Sequence, residues 1–139
     1  MITARRTPFK LRKLLVIDDD EQLVGYYREL LTPYGFQILI AHNGEEAMPL
    51  VDQNPDIQLV ILDLSMPRMD GHQWLRWFRG TRNESPVIII SGYKLEPADQ
   101  ELNPAVVLEK PFHVNEFLDL VGLFCGLGTP IAQTKDVTA

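Results

Sequence analysis

Short apolar runs along the chain alternate with stretches whose apolar residues recur every three or four positions. The runs read Leu14 to Asp18, Phe36 to Ala41, Leu59 to Asp63, Val87 to Ser91 and Ala105 to Lys110. Three are nearly continuous in apolar residues, as strands buried on both faces of a parallel sheet must be. Between the runs, Leu23, Tyr27, Leu30 and Leu31 share one helix face. So do Trp74, Leu75 and Phe78, and later Val114, Phe117, Leu118 and Val121,. Tyr26 and Tyr27 are adjacent, so only one of them can face a core. Trp77 lies at the edge of its stripe and reads as rim packing.

The breaks agree with this pattern. Pro33 and Gly35 stop the first helix, and Asn43-Gly44-Glu45-Glu46 offers a capping-box start to the second,. Gly80 ends the third helix, and Pro86 precedes the fourth strand. Pro49 falls inside the second helical pattern and predicts a kink or a displaced helix start. Tyr93 to Pro104, with Pro97 and Asn103-Pro104, predicts a short or irregular fourth helix. Strands and helices alternating over short connections imply right-handed crossovers and an open, doubly wound α/β sheet, with five strands and five helices.

Length and composition narrow the class. The 139 residues suit one domain with a sizeable core and no need of disulfide staples,. The single cysteine, Cys125, excludes an internal disulfide and fits a reducing compartment; late in an apolar helix, it reads as packing,. Residues 1–11 read as a basic tail, 12–125 as the domain and 126–139 as a second tail. Net charge is −6, but Arg5, Arg6, Lys10, Arg12 and Lys13 crowd an opening stretch that holds no acid. The body is therefore strongly acidic and unsuited to nucleic acid, and the basic arm reads as solvated. No run is long enough to span a membrane, and no signal-peptide pattern opens the chain, so the cytoplasm is expected.

Candidate chemistry gathers where the strands stop. Open α/β sheets bind ligands beyond the carboxyl ends of their strands. Asp18, Asp63, Ser91 and Lys110 each occupy such an end, and Asp19 follows the first directly. Three acids at one edge repel one another unless a divalent cation sits among them, and oxygen ligands suit magnesium. Lys110 supplies a positive charge and Ser91 a hydroxyl, which completes a cradle for a phosphoryl group on a carboxylate. Asp18 and Asp19 taken alone could equally be a helix cap with first-turn acids. Asp70-Gly71 reads as a turn and helix start. His42, His72 and His113 lack ligand spacing and read as surface or capping residues.

Val16-Ile17-Asp18-Asp19, Val60-Ile61-Leu62-Asp63, Met66-Pro67-Arg68-Met69-Asp70-Gly71, Ile88-Ile89-Ile90-Ser91-Gly92 and Lys110-Pro111-Phe112 occur in order. With them the chain resembles a response-regulator receiver domain, the CheY-like family of two-component signalling, over about residues 12 to 125. The resemblance implies a flavodoxin-like sheet in the order 2-1-3-4-5. It implies that Asp63 accepts phosphate from a histidine kinase's phosphohistidine, with Mg2+ on Asp18, Asp19, Asp63 and the backbone carbonyl of Ser65. Lys110 would pair with Asp63 and then with the phosphoryl group, Ser91 would engage a phosphoryl oxygen, and the Lys110-Pro111 peptide would be cis. Such a domain is no conventional enzyme. It works through protein contacts as a monomer or weak dimer, or passes phosphate to a histidine phosphotransfer protein.

Besides Pro49, two features depart from the family. Val107 stands where an aromatic is usual, three residues before the lysine. Ser91 and Lys110 are about three residues closer than usual, and Ser-Gly-Tyr after the fourth strand resembles receivers of hybrid sensor kinases. Tyr93 could shield an acyl phosphate from water. An alternative is a haloacid-dehalogenase-type phosphatase, with Asp18 as nucleophile and Asp20 as general acid, although the chain is short for that family's cap. Another is a pseudo-receiver that binds partners without phosphate.

Overall fold

The computed structural model describes residues 12–64, 71–92 and 106–128. Its strands are β1 (Arg12–Ile17), β2 (Phe36–Ala41), β3 (Ile57–Asp63), β4 (Val87–Ser91) and β5 (Val106–Glu109). All pair in parallel, in the order β2-β1-β3-β4-β5. The apolar runs therefore mark the strands to within two residues, and the sheet has the topology that the resemblance implied.

The helices are α1 (Glu21–Leu31), α2 (Gly44–Gln53), α3 (Gly71–Gly80) and α4 (Val114–Cys125). The expected short helix between Tyr93 and Pro104, the turn from Ser65 to Asp70 and residues 1–11 lie outside the described residues, so α4 is the helix expected as the fifth. Pro33 and Gly35 end α1 as their chemistry requires: a 3₁₀ turn over Thr32–Tyr34 closes on Gly35 at φ 89°, in the left-handed region,.

Strand side chains alternate between faces, which divides the interior into two cores. Leu14 and Val16 of β1, Leu59 and Ile61 of β3, and Ile88 and Ile90 of β4 meet Tyr27 of α1 and Phe117 and Val121 of α4. Their neighbours Leu15, Ile17, Val60, Leu62 and Ile89 meet Ala47 and Val51 of α2 and Trp74, Leu75 and Phe78 of α3. β1, β3 and β4 are buried on both sides, and this accounts for their unbroken apolar sequence,. Val24, Tyr27 and Leu31 form the fully buried line of α1, with Leu23 and Leu30 at its margin. Tyr27 is inside and Tyr26 outside. Trp77 packs at the edge of the α2/α3 core, as rim packing would. Cys125 is a half-buried packing residue on the other core.

Three local outcomes differ from the sequence reading. First, α2 starts at the Asn43 cap and runs through Pro49 as one helix, so its start is not displaced. Pro49 is exposed, where water can serve the carbonyl that its missing N–H leaves unbonded,. Second, the capping box at α2 is modified. Asn43 Oδ1 accepts from Glu46 N at 2.9 Å, but Glu46 reaches back to His42 N rather than to the cap residue. Third, Arg12 and Lys13 are not solvated tail. Arg12 donates to the carbonyls of Tyr34, Cys125 and Gly126 and lies over the Phe36 ring at 4.4 Å. Lys13 binds Asn54 Oδ1 at 2.9 Å and Asp56 at 3.1 Å. Leu127, two residues past α4, also rests on the α1/α4 core.

Candidate functional site

The sheet's alternation determines which side each polar strand-end residue serves. Asp18 extends the β1 ladder by one residue, its N–H donating to Ala41 O at 3.0 Å. It shares a face with Leu14 and Val16, and Asp63 shares a face with Leu59 and Ile61. Both carboxylates therefore stand above the α1/α4 core,. Lys110 follows Leu108 of that core by two residues. Ser91 instead continues the line of Val87 and Ile89, above the α2/α3 core. The Lys110 N–H donates to Ser91 O at 2.7 Å, which joins the ends of β4 and β5. The Lys110-Pro111 peptide is cis, as expected.

Asp18 and Ser91 are each 1% exposed and Asp63 6%, while Asp19 is exposed and Lys110 half-buried. One carboxylate oxygen from each of Asp18, Asp19 and Asp63 falls within 4.8 Å of the others. Such crowding has an electrostatic signature. Burial, first of all, pushes the Asp18 carboxyl up to about 6; the negative charges of Asp63 and Asp19 add to this. A hydrogen bond from Asp20 N to Asp18 Oδ1 at 3.0 Å and the charge of Lys110 act in the opposite sense. A carboxylate this costly to ionise is relieved by a cation. The donor set is all oxygen and part open to water, which fits a hard divalent ion such as magnesium.

Asp20 takes the role that Asp18 and Asp19 might have had. It caps α1, its Oδ1 accepting from Gln22 N at 3.0 Å and Leu23 N at 3.1 Å,. That commitment disfavours Asp20 as the general acid of a phosphatase. His42 is likewise structural. Its ring lies 2.8 Å from Glu21 and 3.0 Å from Glu46, and the hydrogen bond to Glu46, with both acidic charges, holds its pKa above the usual value. The His113 N–H donates to Glu116 Oε1 at 3.3 Å at the head of α4, a capping arrangement.

One residue has a larger part than its sequence suggested. The Gly71 N–H donates to Leu64 O at 3.1 Å. A β-carbon at Gly71 would lie 2.6 Å from Leu64 Cα and 2.7 Å from Asp63 O. Only glycine lets α3 begin this close to the backbone that carries Asp63. The Asp70-Gly71 pair at the start of a helix, eight residues past the end of β3, was the available signal. Val107 is half-buried, pairs with Ile89 and packs on the α2/α3 core, the side that Ser91 serves. Ser65 and Tyr93 lie outside the described residues. Among the described residues, no helix is long and apolar enough to cross a membrane.

Comparison with known proteins agrees with this geometry. The family described as response regulator receiver domain matches residues 14–122. The transcriptional regulatory protein CpxR of Klebsiella pneumoniae is 37% identical over 111 residues, 78% of this chain and 47% of that protein. The regulatory protein VirG of Agrobacterium fabrum is 34% identical over 131 residues, 91% of this chain and 51% of that protein. The chain thus spans about half the length of these curated relatives. Among solved structures, the CheX-CheY-BeF3-Mg complex from Borrelia burgdorferi matches with a TM-score of 0.74 at 28% identity, covering 81% of this chain and 87% of that one. The relatives are regulators by name and lend no support to the hybrid-kinase likeness. The chain belongs to the response regulator receiver domain family of two-component signalling.

Proposed function

We propose that Asp63 is the phospho-acceptor of this receiver domain. A carboxylate oxygen of Asp63 attacks the phosphorus of a kinase phosphohistidine. The new bond is O–P, the N–P bond breaks, and the imidazole nitrogen keeps the electron pair. Asp18, Asp19, Asp63 and the Ser65 carbonyl would hold Mg2+, which supplies charge neutralisation for the phosphoryl oxygens when bound. Lys110 pairs with Asp63 before transfer and with a phosphoryl oxygen after it. Ser91 donates its hydroxyl to another oxygen of the group. The domain catalyses only its own phosphorylation and dephosphorylation, and its output is a change in protein contacts.

The observation that supports this reading best is the convergence of three carboxylates within 4.8 Å, two of them buried. A phosphatase reading would need Asp20 as an acid, and that side chain is engaged with the α1 backbone. Partners of the proposed kind are a histidine kinase as donor and an effector or histidine phosphotransfer protein as recipient, in the cytoplasm. The test is incubation with Mg2+ and acetyl phosphate, followed by intact mass. The wild-type chain should gain one phosphoryl group, and Asp63→Asn or removal of Mg2+ should abolish the gain. Equal gain by Asp63→Asn would end this reading.

A further inference from the structure

Tyr27 presents a problem of hydrogen bonding. Its side chain is fully buried, and among the described residues its hydroxyl has no hydrogen-bond partner. The large majority of buried side-chain polar atoms are satisfied, so an orphan in a well-packed core calls for a cause. Packing alone does not supply one, because phenylalanine would fill the same space without an unpaired hydroxyl. The ring is well fixed. It lies parallel to Phe112 at 6.4 Å and 7°, and tilted on Phe117 at 5.1 Å and 31°. Phe112 is two residues past Lys110, so the ring is held between α1 and the segment that carries the site's lysine.

The location of the hydroxyl narrows the cause. Tyr27 belongs to the α1/α4 core, the one that Asp18 and Asp63 extend. Burial, and then the charges of Asp18, Asp63 and Asp20 in that order, push its ionisation far above the usual tyrosine range. The group therefore stays a donor, in the core whose strand lines lead to Asp18 and Asp63. Among the described residues, the Asp18 carboxylate accepts one hydrogen bond, from Asp20 N to Oδ1, which leaves it acceptor capacity.

The geometry points to Tyr27 as a positioning residue of the acceptor site: in the cation-loaded domain its hydroxyl donates a hydrogen bond to the buried side of the Asp18 carboxylate. The donor would then fix the Asp18 carboxylate that, with Asp19 and Asp63, would hold the cation. Second-layer donors of this kind orient metal ligands and tune affinity. The inference rests on the reading that Asp18 and Asp63 hold Mg2+.

The experiment uses the full chain with 3-fluorotyrosine in place of its four tyrosines. Fluorine NMR follows Tyr27 as Mg2+ is added, its resonance being the one lost in Tyr27→Phe. Calorimetry compares Mg2+ affinity in the unlabelled wild-type and Tyr27→Phe chains. The Tyr27 resonance should shift in step with Mg2+ saturation. Tyr27→Phe should bind Mg2+ about tenfold more weakly, the loss expected for a hydrogen bond to a charged group. Without Mg2+ it should melt no lower than wild type, because it has lost only an orphan hydroxyl. A resonance that ignores Mg2+, or equal affinities, would overturn the role of Tyr27 and leave the metal site standing. A wild-type chain that binds no Mg2+ would overturn both. Should Tyr27→Phe fail to fold, Tyr26→Phe, Tyr34→Phe and Tyr93→Phe assign the resonance by elimination, and its response to Mg2+ decides.

Discussion

The two faces of the sheet do different work. On the α1/α4 side, the β1 and β3 lines end in Asp18 and Asp63, and Lys110 follows Leu108; Tyr27 lies below. On the α2/α3 side, the β4 line ends in Ser91, and Val107 and Trp74 lie below. Charge is therefore gathered over one core, while the hydroxyl that would report a phosphoryl group rises from the other. A sheet only one residue thick keeps the two apart, yet Asp63 and Ser91 lie on the adjacent strands β3 and β4. Charging one face can then bias packing on the opposite one, which is what a two-state signal needs. Valine at position 107 supplies no ring to rotate there, so in the proposed readout movement on the second face would start with Ser91 itself.

Large truncations test this division most strongly. Trp74→Ala and Phe117→Ala each empty a fully buried site and should each cost about 3–5 kcal/mol by urea unfolding,. Only Phe117→Ala, which removes a neighbour of the Tyr27 ring, should also weaken Mg2+ binding in chains that remain folded. Equal loss in both variants would merge the two faces into one.

The next effect is electrostatic. The folded-state pKa of Asp18 lies above its unfolded value, 3.8 rising to about 6. Across that interval the folded chain holds the extra proton, so the Asp18 contribution to stability declines as pH rises, by up to about 3 kcal/mol at 1.4 kcal/mol per pH unit,. Without Mg2+, urea midpoints of wild type relative to Asp18→Asn should fall between pH 4 and 7, and Mg2+ should restore wild type alone. A relative midpoint that rises with pH would contradict the account.

Gly71→Ala follows. Its β-carbon would meet the backbone of Asp63 and Leu64, and overpacking of this kind costs about 1–3 kcal/mol,. Because the strain falls on the carbonyl of Asp63, phosphorylation by acetyl phosphate should slow more than this loss of stability explains. The smallest change is expected at His42→Ala. It removes exposed contacts to Glu21 and Glu46, should cost less than about 1 kcal/mol, and should leave phosphorylation unchanged,.

Much of this could be read from the chain. A strand buried on both faces must be apolar throughout, so β1, β3 and β4 were visible as runs, and the acids that ended two of them stood out by contrast. The order of the site residues followed from those ends. What escaped depends on distances between segments. That Gly71 abuts the Asp63 carbonyl appears only when α3 is docked on β3. Arg12 looked like part of a charged tail because the carbonyls it caps are more than a hundred residues away in the chain, at the end of α4. Tyr27 read correctly as core, but nothing in a helical stripe tells where a hydroxyl at the end of the ring will fall. Pro49 displaces no helix start, since an exposed position lets water replace the hydrogen bond it removes,.

The central claim is that the carboxylate ending β3, not the one following β1, carries the phosphoryl group. The direct measurement is peptide mapping by mass spectrometry after acetyl phosphate and Mg2+, with the acyl phosphate trapped by borohydride reduction. The account predicts a single modified residue, Asp63, and no modification in Asp63→Asn. Modification at Asp18, persisting in Asp63→Asn, would contradict it.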